Sequence, residues 1–148
     1  MLTKDTKDSG ALLVLDDFAL NTRDTIRFSD TDKFGHVGNT AFAVYLETGR
    51  SALTHGGSDD LADAGCHFVL ARTEIDYVGE INWPGEIVGS SRVACIGNSS
   101  FAVEQAIFQN EVLKARARST LVQINRETRA SHSLSSRARA RLETLKVG

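Results

Sequence analysis

The feature that most constrains this chain is one helix-length apolar pattern followed only by strand-length ones. Over residues 40–55, TAFAVYLETGRSALTH, the side chains of Phe42, Tyr45, Leu46 and Leu53 recur with Gly49 at helical spacing. Ala41, Ala43, Val44 and Ala52 extend small or apolar character around the circumference, so this helix is expected to be largely buried. Asn39 is its expected N-cap, Gly49 should let another backbone approach, and Gly56-Gly57 supplies a stop. Downstream, residues 67–77, 86–96, 101–108 and 112–124 read as extended segments separated by NWPGE, GNSS and QNE turns. None of these connections is long enough for the crossover helix that a parallel sheet needs, so the strands should pair antiparallel. An apolar helix followed by a long antiparallel sheet predicts an α+β fold in which the sheet curls around the helix.

Before the helix, the first ten residues are polar and expected to fray. A strand is expected to end near Phe28, with Ile26 and Phe28 on one face and Arg27 and Ser29 on the other. Asp30 and Asp32 continue the apolar parity, and a regular strand would aim both carboxylates at the core, a costly placement unless they are hydrogen-bonded or working. At the other end, SSRARARLETLK predicts a short surface helix over 135–146 that starts from a Ser cap.

A chain of 148 residues has the size of a single domain, taken as 1–148 with its core over about 17–129. No stretch approaches the roughly 20 apolar residues of a membrane span, and the start lacks the apolar run of a secretory signal, so a cytoplasmic location without membrane partner is expected. Cys66 and Cys95 form no C-x-x-C pair and are read as small core or strand residues. Residues 114–148 carry nine Lys/Arg against two Glu. No aromatic residue interleaves with these arginines, which argues against nucleic acid, whereas a phosphate-bearing ligand or a plain solvated face would both suit them. Lys114, Arg116 and Arg118 alternate with Ala115 and Ala117, so a strand would put the three charges on one face.

The most informative stretch is FSDTDKFGHVGNTAFAVYLETGR, residues 28–50. It resembles the 4-hydroxybenzoyl-CoA thioesterase-like family of hotdog-fold acyl-CoA thioesterases, whose pattern is D-T-D-x-x-G-H-V-N-N-x-x-Y followed by E-x-x-R. Asp30, Thr31, Asp32, Gly35, His36, Val37, Asn39, Glu47 and Arg50 match, Phe42 stands for the Tyr, and Gly38 replaces the first Asn. Further departures are Glu80, where the family commonly has Pro, and Pro84-Gly85 in place of Gly-Asp. The resemblance implies a hotdog fold, a thioester substrate of which coenzyme A is part, no separate cofactor, Asp32 as catalytic carboxylate and the Asn39 amide as oxyanion donor. It also implies substrate contacts at Gly35, Gly38 and Phe42.

The residues themselves suit that chemistry, since thioester hydrolysis needs a carboxylate to attack the carbonyl or activate water, and donors for the oxyanion. Asp32 precedes a turn, and a helix beginning at 39–40 presents unpaired amides and a positive dipole end. Asp30 shares the strand parity of Asp32, and its alternative role is to cap a turn. His36 would either bond substrate or hold the loop. Glu47 and Arg50, three apart on the helix, are expected to pair with each other. Phe34, Trp83 and Phe101 would line an acyl pocket or fill core, and Arg116 and Arg126 are candidates for coenzyme A phosphates. D-T-D-K-F-G superficially resembles an EF-hand start, but Phe34 and Ala41 fall where oxygen ligands belong, so no metal site is expected. An acyl-carrier-protein substrate and a non-catalytic acyl-CoA-binding module are the alternatives. The exposed edges of a curled sheet should be covered by pairing into a homodimer or a dimer of dimers.

Overall fold

The computed structural model describes residues 13–57 and 59–146; the stretch over 1–10 expected to fray lies outside them. Five strands form one antiparallel sheet in the order β1-β3-β4-β5-β2: β1 Leu20–Thr25, β2 Cys66–Tyr77, β3 Glu86–Ile96, β4 Ser100–Gln109 and β5 Val112–Asn125. The 17-residue helix α1, Asn39–His55, lies between β1 and β2 in sequence and packs on β1, β3 and β4. This curled sheet with a long helix against it is a hotdog fold.

Strand parity decides what faces α1. In β5, Ala115, Ala117 and Leu121 point inward and are buried, and Ala115 and Ala117 join Phe42, Tyr45 and Leu46 of α1 and Ile107 of β4 in one apolar cluster. A second cluster gathers Leu53 of α1 with Phe101 and Val103 of β4, Leu121 of β5, and Ala138 and Leu142 of α2, Ser136–Thr144. The α2 cap is Ser135, whose hydroxyl accepts from the Ala138 amide at 3.1 Å. β4 and β5 join through Asn110 and Glu111, both at positive φ, as a two-residue hairpin turn of the primed type requires.

Several expectations are corrected. β1 stops at Thr25, and Phe28–Asp30 is a turn of 3-10 helix. Ile26 is 2% exposed and Phe28 72%, so the two do not share a face, and the parity that aimed Asp30 and Asp32 at the core ends with the strand. Gly38, not Asn39, is the N-cap of α1, and among the described residues no side chain caps the helix. Arg50 does not pair with Glu47: it is buried, and its Nη1 donates to Gln105 Oε1 at 3.3 Å and to Ser119 Oγ at 3.5 Å, with burial holding the guanidinium below its usual range. What comes close at Gly49 is side chain rather than backbone. Phe101 is core, but Phe34 and Trp83 are exposed. Both cysteines lie in strands as expected, Cys66 buried at the start of β2 and Cys95 exposed in β3.

Candidate active site

The chain leaves β1 with Ile26 anchored, its amide donating to the Gly85 carbonyl at 2.9 Å, and then turns. Asp30 secures that turn from two sides. Its carboxylate accepts from the Arg27 amide at 2.9 Å and from the Tyr45 hydroxyl at 2.7 Å, while its carbonyl accepts from the Gly38 amide at 2.9 Å. Burial first, and then the Asp30 carboxylate, push the Tyr45 phenol well above its ordinary range, so it stays a neutral donor. Asp30 thus ties the loop to the first turns of α1.

Asp32 starts a tight loop whose ends are bonded: its amide donates to the His36 carbonyl at 2.8 Å, and the Gly35 amide donates to the Asp32 carbonyl at 3.1 Å. Gly35 has φ of +83°, a conformation side chains rarely adopt, which explains a glycine here. Asp32 Oδ1 accepts from the amides of Phe34 at 2.8 Å and His36 at 3.3 Å. Oδ2 receives no hydrogen bond from the described residues, so one carboxylate oxygen is fixed and the other is open to a ligand.

The loop is clamped to the segment ahead of β3. The Val37 amide donates to the Ile81 carbonyl at 2.9 Å, His36 and Asn82 form a β-bridge, and His36 Nε2 lies 3.1 Å from Glu80 Oε2. Immediately after, α1 begins, and its first amides, those of Asn39 and Thr40, lie outside the helical ladder. Asp32, His36, Val37, Asn39 and Phe42 share with Tyr77, Val78, Gly79 and Glu80 a cavity of about 370 Å³. Phe42 stacks edge-on against Tyr77 with ring centroids 5.1 Å apart, closing the apolar side.

One cavity therefore brings together Asp32, His36, Asn39 and Phe42. Gly35 and Gly38 shape the loop around it through their backbones. Arg116 and Arg126 are not there. Arg116 lines a cavity on the outer face of the sheet with Glu104 and Arg118, and Arg118 Nη1 donates to Glu104 Oε1 at 3.0 Å. Arg126 lines another, also about 370 Å³, with Glu47, Arg50, Cys66, Phe68 and Leu70 beside the first half of β2. Sequence reasoning missed Tyr77 and Glu80, which reach the cavity only through sheet pairing and loop clamping; the one available signal was the departure at Glu80 from the family pattern. Among the described residues no group of three or more His, Cys, Asp or Glu could hold a metal ion, and no helix is long and apolar enough to cross a membrane.

Comparison with known proteins identifies the fold and the family. A thioesterase from Thermus thermophilus, complexed with coenzyme A and Zn, is 30% identical over 88% of this chain and 96% of its own, with a TM-score of 0.76. A predicted thioesterase from Bacillus stearothermophilus is 28% identical over 86% of this chain and 96% of its own, also at 0.76. A Pseudomonas aeruginosa protein at 22% identity shares the fold with a TM-score of 0.81, covering 91% of this chain and 96% of its own. No curated protein matches the sequence. The family model of the thioesterase-like superfamily matches residues 26–142, which include the whole Asp32 loop, α1 and the sheet from β2 onward, and the chain belongs to that superfamily.

Proposed function

We propose that this protein hydrolyses an acyl-coenzyme A thioester to the free acid and thiol, without a metal, using Asp32. The observation that carries the reading is the state of the Asp32 carboxylate: one oxygen is held by two loop amides and the other is open, in the same cavity as the uncapped N-terminus of α1. The open oxygen takes a proton from water or attacks the acyl carbon, and the Asn39 amide, with the helix dipole behind it, receives the developing oxyanion. The coenzyme A bound by the Thermus thermophilus relative supports coenzyme A as the thiol, ahead of an acyl carrier protein.

The active form is a homodimer, or a tetramer of such dimers. β2 is a 12-residue edge strand with Leu70 and Tyr77 exposed at 48% and 43%. Two such edges pairing antiparallel about their midpoints would set the Cys66 end of one strand beside the Tyr77 end of the other. The cavity containing Arg126 and Phe68 would then adjoin the Asp32 cavity of the second copy, giving the acyl group a covered site.

The test is thiol release over a panel of aromatic, short-chain and long-chain acyl-CoA substrates, with and without chelator. Turnover that persists in chelator supports the reading. Turnover lost in chelator and restored by added metal would refute its metal-free part, and no turnover on any member would leave a binding module as the better account.

A further inference from the structure

Besides Asp32, the cavity holds a titratable pair that the proposed reaction has not used. His36 Nε2 sits 3.1 Å from Glu80 Oε2, with the two side chains 36% and 69% exposed. The His36 backbone is simultaneously fastened to Asp32, its carbonyl accepting from the Asp32 amide at 2.8 Å and its own amide donating to Asp32 Oδ1 at 3.3 Å. The imidazole is therefore attached on one side to the loop that positions the open carboxylate oxygen and on the other to Glu80, and all three residues line one cavity.

We infer that Glu80 is a positioning residue that acts through His36. An ionised carboxylate can only accept, so in the neutral ring the contact places the proton on Nε2 and leaves Nδ1 with its lone pair, in a ring whose orientation is held. Nδ1 then accepts a hydrogen bond from the hydrolytic water while Asp32 Oδ2 takes the water's other proton. The water oxygen bonds to the acyl carbon, the carbon–sulfur bond breaks with its electron pair on sulfur, and the proton held by Asp32 passes to that sulfur. The hydrogen facing His36 stays with the product acid. A carboxylate fixing the tautomer and direction of an imidazole is a general device of acid–base catalysis, and it works by geometry, so the exposure of Glu80 does not cancel it. The inference rests on the thioesterase reading, with Asp32 as general base.

The experiment compares Glu80→Leu, which removes the acceptor, with Glu80→Gln, which keeps a carbonyl oxygen at nearly the same place. Glu80→Leu should lower kcat by at least ~10-fold with KM within about two-fold, and Glu80→Gln should recover most of that loss. In a His36→Ala background, Glu80→Leu should cost nothing further, because the two residues act as one unit. Independently of any turnover, nitrogen NMR of the His36 ring at about pH 8, above the ordinary imidazole range, should show the proton on Nε2 with slowed exchange in wild type and in Glu80→Gln, and fast exchange in Glu80→Leu. A proton on Nδ1 in wild type, an unchanged kcat in Glu80→Leu, or additive losses in the double variant would each overturn the inference. Because the NMR result needs no substrate, a failed thioesterase reading and a failed role for Glu80 give different outcomes.

Discussion

The hydroxyl of Tyr45, on the second turn of α1, donates a 2.7 Å hydrogen bond to Asp30 Oδ2, two residues before the open carboxylate of Asp32. The bond makes the position of the Asp32 loop depend on the core side of α1, because Tyr45 is itself buried among Phe42, Leu46 and Ile107. Tyr45→Phe removes the donor while preserving the ring, and a hydrogen bond to a charged acceptor is worth about 2 kcal/mol. The expected outcome is a loss of that order in chemical denaturation, with a larger loss for Asp30→Ala, which also frees the Arg27 amide. The phenol's ionisation is pushed upward on folding, so its contribution is complete below its ordinary range near pH 10 and is lost as pH rises through the higher folded value. The stability difference between wild type and Tyr45→Phe should thus be flat from about pH 7 to 9 and shrink above about pH 10. A difference that grows with alkalinity would contradict the sign.

The proposed chemistry rests on Asp32, but the fold does not. It is exposed, and its bonds are to amides of its own loop, so Asp32→Asn should retain the wild-type melting temperature within a few degrees. Loss of a positioned base costs ~10² or more in kcat, and that is the expected drop in steady-state hydrolysis. Asp30→Ala should show the opposite pattern, a damaged melt with a smaller effect on kcat once folded. Equal activity in Asp32→Asn and wild type would remove Asp32 from the mechanism.

The helix and the four later strands were legible because local rules and tertiary packing agree there: Phe42, Tyr45, Leu46 and Leu53 repeat at helical spacing and all four are buried. The end of β1 was not legible, since Phe28 continues an alternation that the backbone abandons at Ile26, and nothing local marks the 3-10 turn. Arg50 shows a similar conflict. The i, i+3 spacing favoured Glu47, but the side chain lies on the buried face, where Gln105 and Ser119, 55 and 69 residues away in sequence, accept its bonds. The Asp32 loop was readable from its motif, whereas Glu80 and Tyr77 join it only through contacts that sheet topology creates.

Dimerisation is tested by charging the exposed edge. Leu70 is on β2 and 48% exposed, so Leu70→Asp adds little strain to an isolated copy but places like charges near the two-fold of the proposed pairing. Light scattering should give wild type at two or four times 16.1 kDa and a smaller species, with much reduced turnover, for Leu70→Asp. A compact, fully active wild-type monomer would sink the composite site.

The two candidate phosphate contacts should separate. Arg116 belongs to the outer face, in register with Asp76 on β2, while Arg126 lines the cavity that the dimer would set beside Asp32. Arg126→Ala should raise KM for an acyl-CoA by a few-fold, the scale of one exposed charge contact of about 1 kcal/mol or less, and leave kcat nearly unchanged. The same acyl group on a truncated thiol lacking the nucleotide should show no such shift, and Arg116→Ala should affect neither substrate. Equal shifts on both substrates would mean that Arg126 does not meet the nucleotide.

Gly49 offers a sharp test of packing, because helix propensity and core geometry there predict opposite signs. In an exposed helix Gly→Ala would stabilise by about 1 kcal/mol. At position 49 an added Cβ would lie 2.9 Å from Gln105 Nε2, closer than real Cβ contacts come, and 3.1 Å from Ser91 Oγ, tighter than most. The amide cannot move away freely: Gln105 is 2% exposed, its Nε2 donates to the Leu46 carbonyl at 2.9 Å and to Ser91 Oγ at 3.0 Å, and its Oε1 accepts from Arg50. Displacing it strains the hydrogen bonds that tie this part of α1 to β3 and β4, and leaves a buried guanidinium less well bonded. Overpacking of this kind costs roughly 1–3 kcal/mol and outweighs the propensity gain, so Gly49→Ala should be net destabilising. Thr48→Ala, on the exposed face of the same helix, is the control: it removes a bond from the Thr48 hydroxyl to the Val44 carbonyl and should be neutral or slightly stabilising by helix propensity. Parallel urea titrations of the two variants decide the matter, and a Gly49→Ala protein as stable as Thr48→Ala would show that the Gln105 network yields more easily than its burial implies.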